Sequence, residues 1–139
     1  MDTMTAIKET DIERNPKTIM AVDDTPLMLS ILRSIVIGGG YRFARAKTGK
    51  NAMNLIESNK PDLLLLRMDM SDTHGNEIAE KLREEGHGVP IIFIGDEATK
   101  ESVVKAHRMG AKDYITKPFD RNKVLSKIDK QLQYAGNTG

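Results

Sequence analysis

At 139 residues, with 39% hydrophobic and 29% charged positions and a net charge of +1, the chain has the size and balance of one ordinary globular domain. No apolar run is long enough to cross a bilayer, the first residues (MDTMTAIKETDIERNP) are acidic where a secretory signal is basic and then apolar, and cysteine is absent. Disulfides and thiolate chemistry are excluded, neither a membrane span nor secretion is expected, and a cytoplasmic location follows as the expectation.

The charge is unevenly spread: residues 100–130 hold nine Lys/Arg against four Asp/Glu, and residues 1–99 hold twelve against sixteen. The basic part reads as solvated helix faces or as a surface for an acidic partner, and because aromatic residues make up 4% of the chain and none interleaves the lysines, a single-strand nucleic-acid platform is not expected.

Residues 1–15 read as a flexible arm, residues 16–134 as the domain and residues 135–139 as a short tail. The run TIMAV predicts a first strand that ends on Asp23 and Asp24, and Thr25-Pro26 predicts a helix with Thr25 as N-cap and proline at its first position. Leu27, Ile31 and Ile35, with Leu32 and Val36, repeat at helical spacing until three glycines, 38–40, end the helix. YRFARA (41–46) alternates with period two, as a half-buried strand near a sheet edge does. Thr48 is placed to cap a second helix whose inward face holds Ala52, Leu55 and Ile56.

Leu63 to Leu66 form a continuous apolar run, the pattern of a central strand covered on both faces, and it ends on Arg67. A third helix follows Gly75 with Ile78, Ala79 and Leu82 as its stripe. VPIIFI (89–94) predicts a fourth strand, Val103, Val104 and Ala106 belong to a fourth helix that stops at Gly110, and DYIT (113–116) is a short fifth strand. Asp120 is a suitable N-cap for the last helix, with Phe119 and Val124 as a hydrophobic staple. Strict alternation of strands and helices predicts an α/β domain with a parallel sheet covered on both sides.

In such a sheet, ligands bind beyond the carboxyl ends of the strands. The residues at those ends are Asp23 and Asp24, Arg67, Gly95 and Lys117. A carboxylate pair there can hold a hard cation such as magnesium, or can simply favour a helix N-terminus. No nucleophile elbow and no glycine-rich loop after the first strand supports a hydrolase or dinucleotide reading, and no enzyme activity is expected.

The motifs IMAVDDTPLM, PDLLLLRMDMSDTHG and GAKDYITKPF resemble the receiver domain of two-component response regulators, over about residues 17 to 134. The resemblance implies a flavodoxin-like, doubly wound, five-stranded parallel sheet in the order 2-1-3-4-5. It also implies a third-strand carboxylate that accepts a phosphoryl group from a histidine kinase, magnesium held by that carboxylate and an acidic pair, and a lysine on the phosphoryl group. Residue by residue, Asp23 and Asp24 match the acidic pair, Lys117 the lysine, and Tyr114 the switch aromatic three positions earlier. The phosphoacceptor position falls on Arg67, and the hydroxyl residue that couples the phosphoryl group to the aromatic falls on Gly95.

A guanidinium cannot form an acyl phosphate and stays charged. The family's three carboxylates and one lysine leave a net negative pocket, whereas Asp23, Asp24, Arg67 and Lys117 sum to zero. Magnesium about 4 Å from Arg67 would meet repulsion of roughly 8 kcal/mol at an effective dielectric near 20. No cofactor is therefore expected, magnesium binding is at best weakened, and Asp23 and Asp24 are its ligands if it is retained. Arg67 is expected to bridge to Asp23 or Asp24 in the cation's place, the alternative being an arginine that reaches out to water at the strand end.

The expectation is a stand-alone pseudo-receiver in two-component or phosphorelay signalling, acting by phosphorylation-independent protein contact, with neither a DNA-binding domain nor a membrane segment. Its partner would be a signalling protein such as a histidine kinase or another regulator, with a homodimer also open. The contact residues expected are His107, Arg108, Lys112, Tyr114, Lys123 and Lys127, with Tyr114 sampling inward and outward rotamers because Gly95 cannot couple it to the pocket. Two alternatives remain: a phosphotransfer receiver using Asp69, with Asp72 a weaker candidate, and a small-ligand binder in the same crevice. His74, His87 and His107 show no metal-ligand spacing and read as surface residues.

Overall fold

The computed structural model describes residues 16–68, 75–97 and 99–138. Within them, five strands alternate with five helices: β1 (Thr18–Val22), α1 (Pro26–Gly38), β2 (Arg42–Ala46), α2 (Gly49–Asn59), β3 (Leu63–Arg67), α3 (Gly75–Glu84), β4 (Ile91–Gly95), α4 (Lys100–Arg108), β5 (Asp113–Thr116) and α5 (Arg121–Thr138). The strands form one parallel sheet in the order β2-β1-β3-β4-β5, as expected.

The apolar run 63–66 lies at the centre of that sheet, fully buried, with β1 on one side and β4 on the other. Because side chains alternate along a strand, Leu64 and Leu66 join Met20, Val22 and Phe93 in one core, against Ala52, Ile56, Ile78, Ala79, Leu82 and Ala106. Leu63 and Leu65 join Ile19, Ala21, Ile92 and Ile94 in the other, against α1 and the inward residues Val124 and Ile128 of α5. Helices α2, α3 and α4 thus cover one face and α1 and α5 the other. Each fully buried leucine contributes about 1.5–3 kcal/mol relative to exposure.

Two helix starts follow their expected caps. Thr48 Oγ1 accepts the Asn51 N–H at 3.0 Å, and Asp120 Oδ1 accepts the N–H groups of Asn122 and Lys123 at 2.9 and 3.3 Å. Two details at α1 differ from expectation. Leu27 is 64% exposed, because the inward stripe is Leu29, Leu32, Ile35 and Val36, and position 27 falls outside it. Thr25 stands at the N-cap position with extended backbone, but its side chain makes no cap hydrogen bond. The arm expected at residues 1–15 lies outside the described residues.

Gly75 closes α3 against the end of β3. Its N–H donates to the Met68 carbonyl at 2.7 Å, and a Cβ there would lie 2.4 Å from the Arg67 carbonyl oxygen. Backbone cannot yield as a side-chain tip can, so any larger residue pushes the helix away from the strand that carries Arg67. Gly75→Ala is expected to lower stability by about 1–3 kcal/mol in urea unfolding. Gly88→Ala, where a Cβ would meet nothing within 4 Å, is expected to change little in the same measurement.

Candidate functional site

Strand register assembles the site. Val22 pairs with Leu66, so Asp23 and Arg67, the next residues on each strand, arrive side by side at the carboxyl edge. Gly95 pairs with Thr116, which brings Lys117 beside the end of β4. Each residue singled out at the strand ends therefore lies along one rim.

Asp23 is fully buried. Its Oδ1 accepts the Thr25 N–H at 2.8 Å and stands 3.5 Å from Arg67 Nη1. Its Oδ2 is buried and has no hydrogen-bond partner among the described residues. Arg67 Nη1 also lies 3.4 Å from Thr25 Oγ1, so the hydroxyl that does not cap α1 accepts from the guanidinium instead. The Arg67 side chain is 20% exposed, and the expected bridge to Asp23 is present as a contact at the outer limit of hydrogen bonding. A buried carboxylate beside a guanidinium gains charge attraction but loses hydration, so removing either partner is far costlier than the pair's net worth. Asp24, adjacent in the chain, is half-buried.

Lys117 is engaged by Asp96, with Nζ 3.3 Å from Oδ1. Asp96 was not singled out by the strand-end reading, which stopped one residue short of it. Its carboxylate adds a negative charge to the four groups that sum to zero, and it is 74% exposed, so solvent screens much of its effect.

Tyr114 is buried, and its hydroxyl donates to the Glu97 carbonyl at 3.1 Å. The ring fills the space that a side chain at 95 would need: a Cβ on Gly95 would lie 1.6 Å from Tyr114 Oη and 2.6 Å from Cζ. The ring is turned inward, the first of the two rotamers expected for it. Beside it is a cavity of about 260 Å³ bordered by Arg67, Gly95, Asp96, Lys105, Tyr114 and Lys117.

Of the expected contact residues, His107, Arg108, Lys112 and Lys123 are exposed. Tyr114 is not, and Lys127 is tied to Asp113 Oδ1 at 3.0 Å and to the Tyr114 carbonyl at 2.8 Å, so its ammonium braces β5 against α5. Asp69, Asp72 and His74 lie outside the described residues. No helix among the described residues is long and apolar enough to cross a membrane.

A family model described as the response regulator receiver domain matches residues 19–129. The chain is 27% identical over 123 residues to the probable transcriptional regulatory protein TcrX of Mycobacterium tuberculosis, covering 88% of this chain and 53% of that protein. It is 26% identical over 119 residues to the polar-differentiation response regulator DivK of Brucella anthropi, covering 84% of this chain and 97% of that one. The chain thus spans about half the length of the first relative and nearly all of the second. Among solved structures, a CheY-like response regulator receiver domain protein from Methanospirillum hungatei superposes with a TM-score of 0.82 at 29% identity, covering 90% of this chain and 100% of that one.

The conflict between a side chain at 95 and the ring at 114 is measurable by a double-mutant cycle. Gly95→Ala is expected to cost about 1–3 kcal/mol in the native background and less than about 0.5 kcal/mol in a Tyr114→Ala background, by urea unfolding.

Proposed function

The chain belongs to the response regulator receiver family, and from that premise we propose that it is a pseudo-receiver, a signalling module whose output does not pass through an aspartyl phosphate. The observation that carries this reading is the Arg67 guanidinium 3.5 Å from buried Asp23, at the strand end where the resemblance assigns the phosphoacceptor. Phosphorylation there needs a carboxylate oxygen to attack phosphorus and expel the donor's leaving group. A guanidinium has hydrogen-bond donors and no such lone pair.

Receivers hold magnesium at the acidic site. A donor set for a hard cation consists of oxygen ligands with room around them. Here the third carboxylate is replaced by a cation, and Asp23 Oδ1 is already shared between the Thr25 N–H and Arg67. The unpartnered Asp23 Oδ2 is the single feature that favours a metal, and the guanidinium beside the same carboxylate opposes it. These residues do not fit a firmly held magnesium ion, so the reading includes no metal-dependent step and treats magnesium binding as weakened.

What remains is recognition. Tyr114 is seated over Gly95, and the exposed His107, Arg108, Lys112 and Lys123 offer a basic surface to a signalling protein. A histidine kinase or another regulator is the class of partner that the family suggests, in the cytoplasm. The functional unit on this reading begins at residue 16, and α5 runs to Thr138, past residue 135 where a short tail was expected.

Incubation with acetyl phosphate and magnesium is expected to leave the intact mass unchanged. A stable gain of one phosphoryl group would overturn the reading, and its loss in Asp69→Ala would assign the acceptor to that residue. In magnesium titrations, Arg67→Asp is expected to bind at least about tenfold more tightly than the native chain, since removing the adjacent positive charge is worth more than 1.4 kcal/mol. Equal affinities would show that Arg67 does not govern the metal.

A further inference from the structure

Both loops that lead into the amino ends of β3 and β4 lie at the opposite end of the sheet from Arg67, and they bring together three side chains that the signalling reading leaves unused. Glu57 comes from the last turns of α2, and Glu85 and His87 from the turn that follows α3. His87 Nε2 stands 3.7 Å from Glu57 Oε1 and 3.5 Å from Glu85 Oε1, and one ligand atom from each residue falls within 4.8 Å of the others.

The backbone sets this geometry. After α3, the Gly86 N–H donates to the Arg83 carbonyl, Gly86 adopts a φ of +79°, and the His87 N–H returns to the Leu82 carbonyl at 2.9 Å. That reversal points the chain back along the helix it has just left, so His87 sits beside Glu85 instead of running on into β4. Lys60, with a φ of 48°, ends α2 in a left-handed residue and so stops the helix that presents Glu57. Among the described residues, no lysine or arginine pairs with either glutamate.

We propose that Glu57, Glu85 and His87 form a binding site for a borderline divalent cation of the zinc class. A tetrahedral ion with ligands at about 2.0–2.2 Å spaces them about 3.3–3.6 Å apart, so the two separations from Nε2 are close to that ligand-to-ligand spacing. An imidazole nitrogen with two carboxylates suits zinc, cobalt or nickel and disfavours magnesium, which prefers an all-oxygen octahedron. The ligands are 31% to 68% exposed, which leaves the remaining coordination positions to water. A cavity of about 440 Å³ bordered by Glu57, Asp62, His87 and Pro90 gives those waters space. An ion held there fastens α2 to the turn after α3, and this site is independent of the Arg67 rim.

Titration of the full chain with zinc chloride, by calorimetry and by the imidazole NMR signals, tests the proposal. One zinc per chain is expected, with the His87 ring signals perturbed. His87→Ala is expected to weaken binding at least about tenfold, and Glu57→Gln and Glu85→Gln to weaken it in turn. Asp24→Asn is expected to leave zinc binding unchanged, and magnesium in excess is expected not to compete. Absence of zinc binding overturns the proposal, as does binding that survives His87→Ala or is lost in Asp24→Asn. All three ligands are at least partly exposed, and far-ultraviolet circular dichroism of the variants verifies that they stay folded.

Discussion

Everything at the rim depends on how completely β3 is enclosed. Its leucines, 63–66, touch β1 and β4 at the sides and a helical layer above and below, so no polar side chain can be tolerated until the strand reaches its carboxyl end. Position 67 is the first that can carry a charge, and the register with β1 decides which group meets it. The hydrophobic pattern thereby dictates an electrostatic contact. The same enclosure makes the contact consequential, because Asp23 is fully buried and its carboxylate has few sources of compensation.

The guanidinium does more than neutralise. By taking the Thr25 hydroxyl as well as Asp23, it links the end of β3 to the start of α1, and α1 begins without the side-chain cap that its sequence suggests. A cap is worth about 1 kcal/mol, a cost that a shared contact with a buried carboxylate can offset. Across the rim, Lys117 is held by Asp96 and Tyr114 by the Glu97 carbonyl, so the segment after β4 organises the side opposite Asp23. The rim therefore has two halves, each with its own polar anchors.

Much of this was legible before the structure, and what was not shares a cause. Element order, the buried leucine run, the caps at Thr48 and Asp120 and the position of Arg67 are local or periodic signals, each contained within a few residues. Leu27 misleads because several apolar positions at helical spacing admit more than one stripe, and packing chooses between them. The Thr25 hydroxyl's partner is 42 residues away, and the Tyr114 ring over Gly95 joins two strands through a void that no periodicity reveals. Glu57 and His87 are likewise carried to each other by two separate helix ends, a spacing that metal motifs within one segment do not describe. Lys127 looks like a surface charge in the sequence and is a brace in the fold, since its partners belong to β5.

The glycine at 95 and the ring above it also constrain what substitution can do. A carboxylate substituted at position 67 would stand at the rim with no side chain at 95 beside it. A hydroxyl residue substituted at 95 would meet the Tyr114 ring, which would have to move before the two could share the space. The empty side chain at 95 thus couples two strands: what that position can carry is decided by β5, through the ring at 114.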